Sequence, residues 1–115
     1  MLITIDAESA TPLFEQVSAS VRADIVAGRL VPGDRLPAAK EIAAALEINV
    51  HTVLRAYQQL RDEGLVDLRR GRGAVVTAAA LPLVELHGDI LALVRRAAEL
   101  GLPQSTLAAL VKEAS

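Results

Sequence analysis

Two groups of side chains in this 115-residue sequence have the types and spacing to do chemistry. One is Asn49, His51, Thr52 and Arg55, four hydrogen-bonding side chains within a single stretch. The other is Arg69, Arg70 and Arg72, interleaved with Gly71 and Gly73. Neither is built for breaking bonds. His51 and His87 are the only histidines, and neither has a nucleophile-and-base arrangement near it. Cysteine is absent, which excludes disulfides and thiolate metal sites. Glu85, His87 and Asp89 lie two apart, and residues two apart do not share a helix face, so no metal is expected there. The two glycines miss the spacing of a P-loop. The only lysines, Lys40 and Lys112, both fall in expected helices and offer no Schiff-base setting. The sequence therefore predicts no enzyme, no cofactor and no metal.

The same residues suit a polyanion. The first turn of a helix presents free backbone N–H groups that favour phosphate, and in a major groove its side chains meet base edges. Asn can pair with adenine, Thr offers a hydroxyl or a methyl, and Arg reaches guanine or phosphate. The net charge of −2 speaks against nucleic acid, but the charge is unevenly distributed. Residues 35–77 hold seven basic and five acidic side chains, while both flanking segments are net acidic. A local basic surface can bind phosphates on an acidic protein.

Elements must position these groups, and the hydrophobic pattern supplies them. Leu2 to Ile5 alternates as a short strand or extended arm. Thr11-Pro12 predicts an N-cap and first helical position, and Leu13, Val17, Val21, Ile25 and Val26 recur at helical spacing, giving a helix over 12–28 that Gly28 stops. Pro32-Gly33-Asp34 reads as a turn. Ile42, Ala43 and Leu46 give a short second helix over 39–46. After the tight turn Glu47-Ile48, Asn49 caps a third helix over 50–63 whose buried face is Val53, Ala56, Tyr57 and Leu60; Gly64 closes it. Leu65–Leu68 and Ala74–Thr77 predict a β-hairpin around the arginines. Ala78 to Pro82 reads as a linker of small residues. Leu83, Leu86, Ile90, Leu93, Ala97 and Leu100 follow at spacings of three and four, the seam of a helix that packs on another helix. Gly101 ends that helix and Pro103 starts a last one.

Helix, helix, tight turn, helix, hairpin is the order of a winged helix-turn-helix. The sequence resembles the GntR family of regulators from Pro12 to Val76. The likeness rests on Pro12-Leu13-Phe14-Glu15-Gln16-Val17, Pro32-Gly33-Asp34-Arg35-Leu36-Pro37, Thr52-Val53-Leu54-Arg55-Ala56-Tyr57, Leu60, Glu63-Gly64-Leu65-Val66 and Arg70-Gly71-Arg72-Gly73, in family order and spacing. The two-helix tail resembles the YtrA-type subfamily. The resemblance implies that Thr52 contacts DNA and that Arg35 and Lys40 meet the phosphate backbone. Ala38 departs from a family Ser, which removes an N-cap and a phosphate ligand. Val50 departs from a common Arg, so base preferences of other members do not carry over.

The expected protein is mostly α with a small β-hairpin: a winged helix-turn-helix over 1–77, then a two-helix dimerisation region over 78–115. The partners are double-stranded DNA, contacted by Arg35, Lys40, Asn49, His51, Thr52, Arg55, Arg70, Gly71 and Arg72, and a second copy of the chain. A homodimer implies a palindromic operator, with repression the expected outcome. A winged-helix protein–protein module without DNA binding is the alternative, and the basic wing argues against it. No small-molecule effector is specified. No apolar run reaches the roughly 18 residues of a membrane span, and Met1 to Asp6 does not read as a signal peptide. The expected location is cytoplasmic.

Overall fold

A computed structural model describes residues 3–71 and 73–115. Five helices and one hairpin follow in chain order: α1 Leu13–Val26, α2 Ala39–Leu46, α3 Val50–Asp62, β1 Val66–Arg69, β2 Gly73–Val76, α4 Ala80–Glu99 and α5 Gln104–Glu113. The chain divides into two compact units, Met1–Val84 and Glu85–Ser115, and the division falls inside α4.

In the first unit, the apolar stripes read from the sequence form one core. Val17, Val21 and Ile25 of α1 meet Val53, Ala56 and Leu60 of α3, and all six are fully enclosed. Ile42 and Ala43 of α2, Val66 of β1 and Ala74 and Val76 of β2 close the same cluster. Asp24 is buried beside it, and its Oδ1 accepts from Arg29 Nε at 2.7 Å.

Thr11 does not cap α1. The cap position belongs to Pro12, without a side-chain bond, and helix begins at Leu13. Gln16 explains the difference. Its Nε2 donates to the carbonyls of Asp6 (3.0 Å) and Thr11 (2.8 Å), and its Oε1 accepts from the Asp6 N–H at 2.6 Å. One amide side chain thus ties the preceding loop to the helix. The N-terminal segment is an extended arm, with Ile3 in the core and no strand at Ile3–Asp6.

The segment after α1 does more than turn. Gly33 N–H donates to the Val76 carbonyl (2.8 Å), Val76 N–H to the Asp34 carbonyl (2.8 Å), and Leu36 N–H to the Ala74 carbonyl (2.9 Å). Arg35 bridges Val75 in antiparallel fashion. Residues 33–36 therefore line the free edge of β2, opposite β1, and anchor the wing. The hairpin is shifted by one residue from expectation: Arg69 pairs with Gly73, and Val66 with Val76.

The expected linker at Ala78–Pro82 is mostly helix. Thr77 Oγ1 accepts from the Ala79 N–H at 3.2 Å, as an N-capping hydroxyl does. Pro82 falls in the first turn, where a missing N–H costs nothing. Ala80 is buried in the core of the first unit, and Leu83 packs against that core.

The second unit holds the rest of α4 and α5. Ala97 is buried, and its carbonyl accepts from the Leu102 N–H at 2.8 Å, which closes the turn between the helices. Leu86, Ile90, Leu93 and Leu100 are exposed. No described helix is long and apolar enough to cross a membrane.

Candidate nucleic-acid interface

The turn between α2 and α3 is set by backbone geometry. Glu47 takes a left-handed φ of 56°, and Ile48 N–H donates to the Ala43 carbonyl at 3.0 Å. Asn49 then caps α3, its Oδ1 accepting from the His51 N–H at 2.8 Å, as the sequence predicts. The cap uses that oxygen, and the residue is exposed.

The first turn of α3 lies at the surface. Asn49, His51 and Arg55 are exposed and Thr52 is half-buried. With Leu13 and Phe14 from α1, these four line one shallow depression. The Arg55 guanidinium sits over the Phe14 ring, 3.8 Å from its centroid. Phe14 is a site residue that the sequence marks only as part of a motif. The signal that finds it is the 41-residue interval that Phe14–Arg55 shares with Ser18–Gln59 and Arg22–Glu63.

A second concavity, of about 810 Å³, lies between the wing and α3. Arg35, Arg69, Arg70 and Gly71 line it on the wing side, and Leu54, Tyr57 and Gln58 on the helix side. Arg69 is partly engaged, its Nη2 lying 3.3 Å from Asp67 Oδ2. Gly71 has a φ of 81°, which a turn this tight demands and which glycine adopts without penalty. Arg72 lies outside the described residues. Lys40 is exposed on the first turn of α2 and borders neither concavity.

Tyr57 is a core residue, as its place in the apolar stripe predicts. It is 4% exposed, and its phenol donates to the Pro37 carbonyl at 2.6 Å. Burial, and secondarily the Glu41 charge, pushes its pKa up to about 12. The bond fastens α3 to the segment entering α2. Among the described residues no group of three His, Asp or Glu side chains is placed to hold a metal.

The family model described as "Bacterial regulatory proteins, gntR family" matches residues 13–76. The chain belongs to the gntR family. It is 37% identical over 79 residues to the HTH-type transcriptional repressor YtrA of Bacillus subtilis, an alignment covering 69% of this chain and 61% of that protein. The chain thus spans less than two thirds of that relative. The solved structure of YtrA from Sulfolobus acidocaldarius, a GntR-family transcription factor, matches 86% of this chain and 99% of its own at a TM-score of 0.64 and 33% identity. The DNA-binding domain of AraR, solved in complex with operator ORE1, shares the fold at a TM-score of 0.57 and 23% identity, over 67% of this chain and 94% of that one. This gntR member therefore has a winged helix-turn-helix and resembles YtrA in sequence and fold.

Proposed function

We propose that this gntR protein represses transcription by binding a palindromic operator as a homodimer. α3 enters the major groove, where Asn49, His51 and Thr52 read base edges. Arg35, Lys40, Arg55 and the wing residues Arg70, Gly71 and Arg72 hold the backbone on either side. The observation that carries this reading is the open first turn of α3, with its hydrogen-bonding side chains at the surface and a basic wing in the same compact unit. The second copy docks along α4, where Leu86, Ile90, Leu93 and Leu100 expose an apolar row. Leu83 and Ala97, the other seam positions, are engaged within the chain and contribute less. The similarity to YtrA supports repression, and the protein acts in the cytoplasm.

Selection of bound sequences from a random duplex library tests this directly. The expected product is a palindrome whose half-sites lie about one helical turn apart. On that operator, Arg70→Ala with Arg72→Ala lowers affinity for all sequences. It also flattens the dependence of log K on log salt by about 0.9 for each phosphate no longer neutralised. Enrichment of no sequence, together with binding indifferent to salt, would overturn the DNA reading.

A further inference from the structure

Where α1 meets α3, three cross-helix pairs run in step. Phe14 lies under Arg55, Ser18 Oγ is 2.9 Å from Gln59 Oε1, and Arg22 grips Glu63 through Nε and Nη2 at 2.8 and 2.7 Å. Successive pairs advance four residues on both helices, about one turn. The last two pairs are polar on both sides: the Ser18 hydroxyl, which also lies 3.0 Å from the Phe14 carbonyl, meets an amide oxygen, and a guanidinium meets a carboxylate. The Phe14–Arg55 pair is different. A ring face attracts a cation without neutralising it and takes none of its N–H groups. Among the described residues the Arg55 side chain makes no hydrogen bond and no ion pair, although its guanidinium is fixed at stacking distance. Its donors are oriented and unspent, at the edge of a depression walled by Leu13, Asn49, His51 and Thr52.

We propose that Phe14 is a positioning residue for DNA binding, holding Arg55 as a stacked guanidinium that grips one phosphodiester of the duplex. The inference rests on the DNA-binding reading above and adds to it the residue that positions Arg55 for its phosphate. The phosphate, not a base, is assigned because the stack pins Arg55 on the α1 ring instead of leaving it to extend freely from α3. A fixed cation with unspent N–H donors suits a phosphate oxygen. Fixing the long side chain before binding also removes part of the ordering cost that a free arginine incurs.

The test uses the full chain, its selected operator and a random-sequence duplex, across a salt series. Arg55→Ala makes the log–log salt slope shallower by about 0.9, the signature of one phosphate left without its cation. Phe14→Leu keeps an apolar residue but no ring face. It weakens binding roughly two- to fivefold on both duplexes, in line with a solvent-accessible cation–π pair. Phe14→Tyr restores wild-type binding. Phe14→Leu adds nothing to Arg55→Ala, because both act through one guanidinium. Circular dichroism melting confirms that each variant is folded, and Phe14→Tyr and Arg55→Ala carry the test if Phe14→Leu is not. A folded Phe14→Leu with unchanged affinity, an effect additive with Arg55→Ala, or a change of base preference in Arg55→Ala overturns the assignment. If the wild-type chain binds no duplex, the failure belongs to the DNA reading itself.

Discussion

Tyr57 is the lone tyrosine of a chain without tryptophan, so its ionisation can be followed by ultraviolet absorbance without interference. Its phenol is enclosed and hydrogen-bonded to the Pro37 carbonyl, and burial holds its pKa at about 12, above the ordinary 10. The neutral form is the one the fold accepts. The stability it confers is complete below the unfolded value near 10 and is lost as pH rises through the folded value near 12. Native protein is expected to titrate near 12 and urea-denatured protein near 10. Tyr57→Phe removes that difference and leaves the Pro37 carbonyl without its donor, a loss of about 1–2 kcal/mol by denaturant melting. A native midpoint near the ordinary value of 10 would show that Tyr57 is open to solvent. The sequence made the burial of Tyr57 legible through its place in the stripe of α3. It did not reveal the Pro37 bond, because that bond joins residues 20 apart across a turn. Asn49 was legible both as a cap and as a surface group, since both roles are local.

Among the elements, α2 is the one with an evident defect. It is only eight residues long, and its cap position, Ala38, supplies no capping side chain. Glu41 already occupies the third helical position, where a glutamate can bond back to the cap N–H. Ala38→Ser therefore completes a capping box and is expected to stabilise the protein by about 1 kcal/mol, raising the melting temperature by roughly 4 °C. Ala38→Val is the control, because valine caps no better than alanine and should not reproduce the gain. If Ser has no effect, the start of α2 is frayed rather than merely uncapped. The helices themselves were legible because their apolar residues repeat within each segment. The third pairing partner of the wing was not. Residues 33–36 carry a turn signal that masks their second role along β2, and nothing local in Val31–Leu36 points to an edge some 40 residues away. The row joining α1 to α3 was hidden for the same reason. Its constant interval of 41 residues becomes visible only when two helices are compared in register.

At the scale of the whole molecule the outstanding demand is apolar surface. Leu86 is 53% exposed, Leu93 47% and Leu100 73%, with Leu110 and Val111 of α5 also open. Soluble proteins rarely leave such a concentration of leucine in water unless a partner covers it. The a/d spacing of α4 was legible because it is a repeat on one helix. Which of its positions the chain covers itself was not, since that depends on the α4–α5 turn for Ala97 and on the first unit's core for Leu83. On the proposed reading a second copy covers the exposed row by bringing the same row, and two-fold pairing would present two α3 helices to two half-sites. Leu86→Asp with Leu93→Asp places charges in the middle of that row, both at positions exposed in the single chain, so the first unit keeps its fold by circular dichroism. Light scattering is expected to give the monomer mass. Operator affinity should fall by about 100-fold or more, because two linked half-site interactions become one, while binding to an isolated half-site is unchanged. Persistence of the dimer in this variant would mean that the row is covered from within each chain and that another surface sets the symmetry of the bound form.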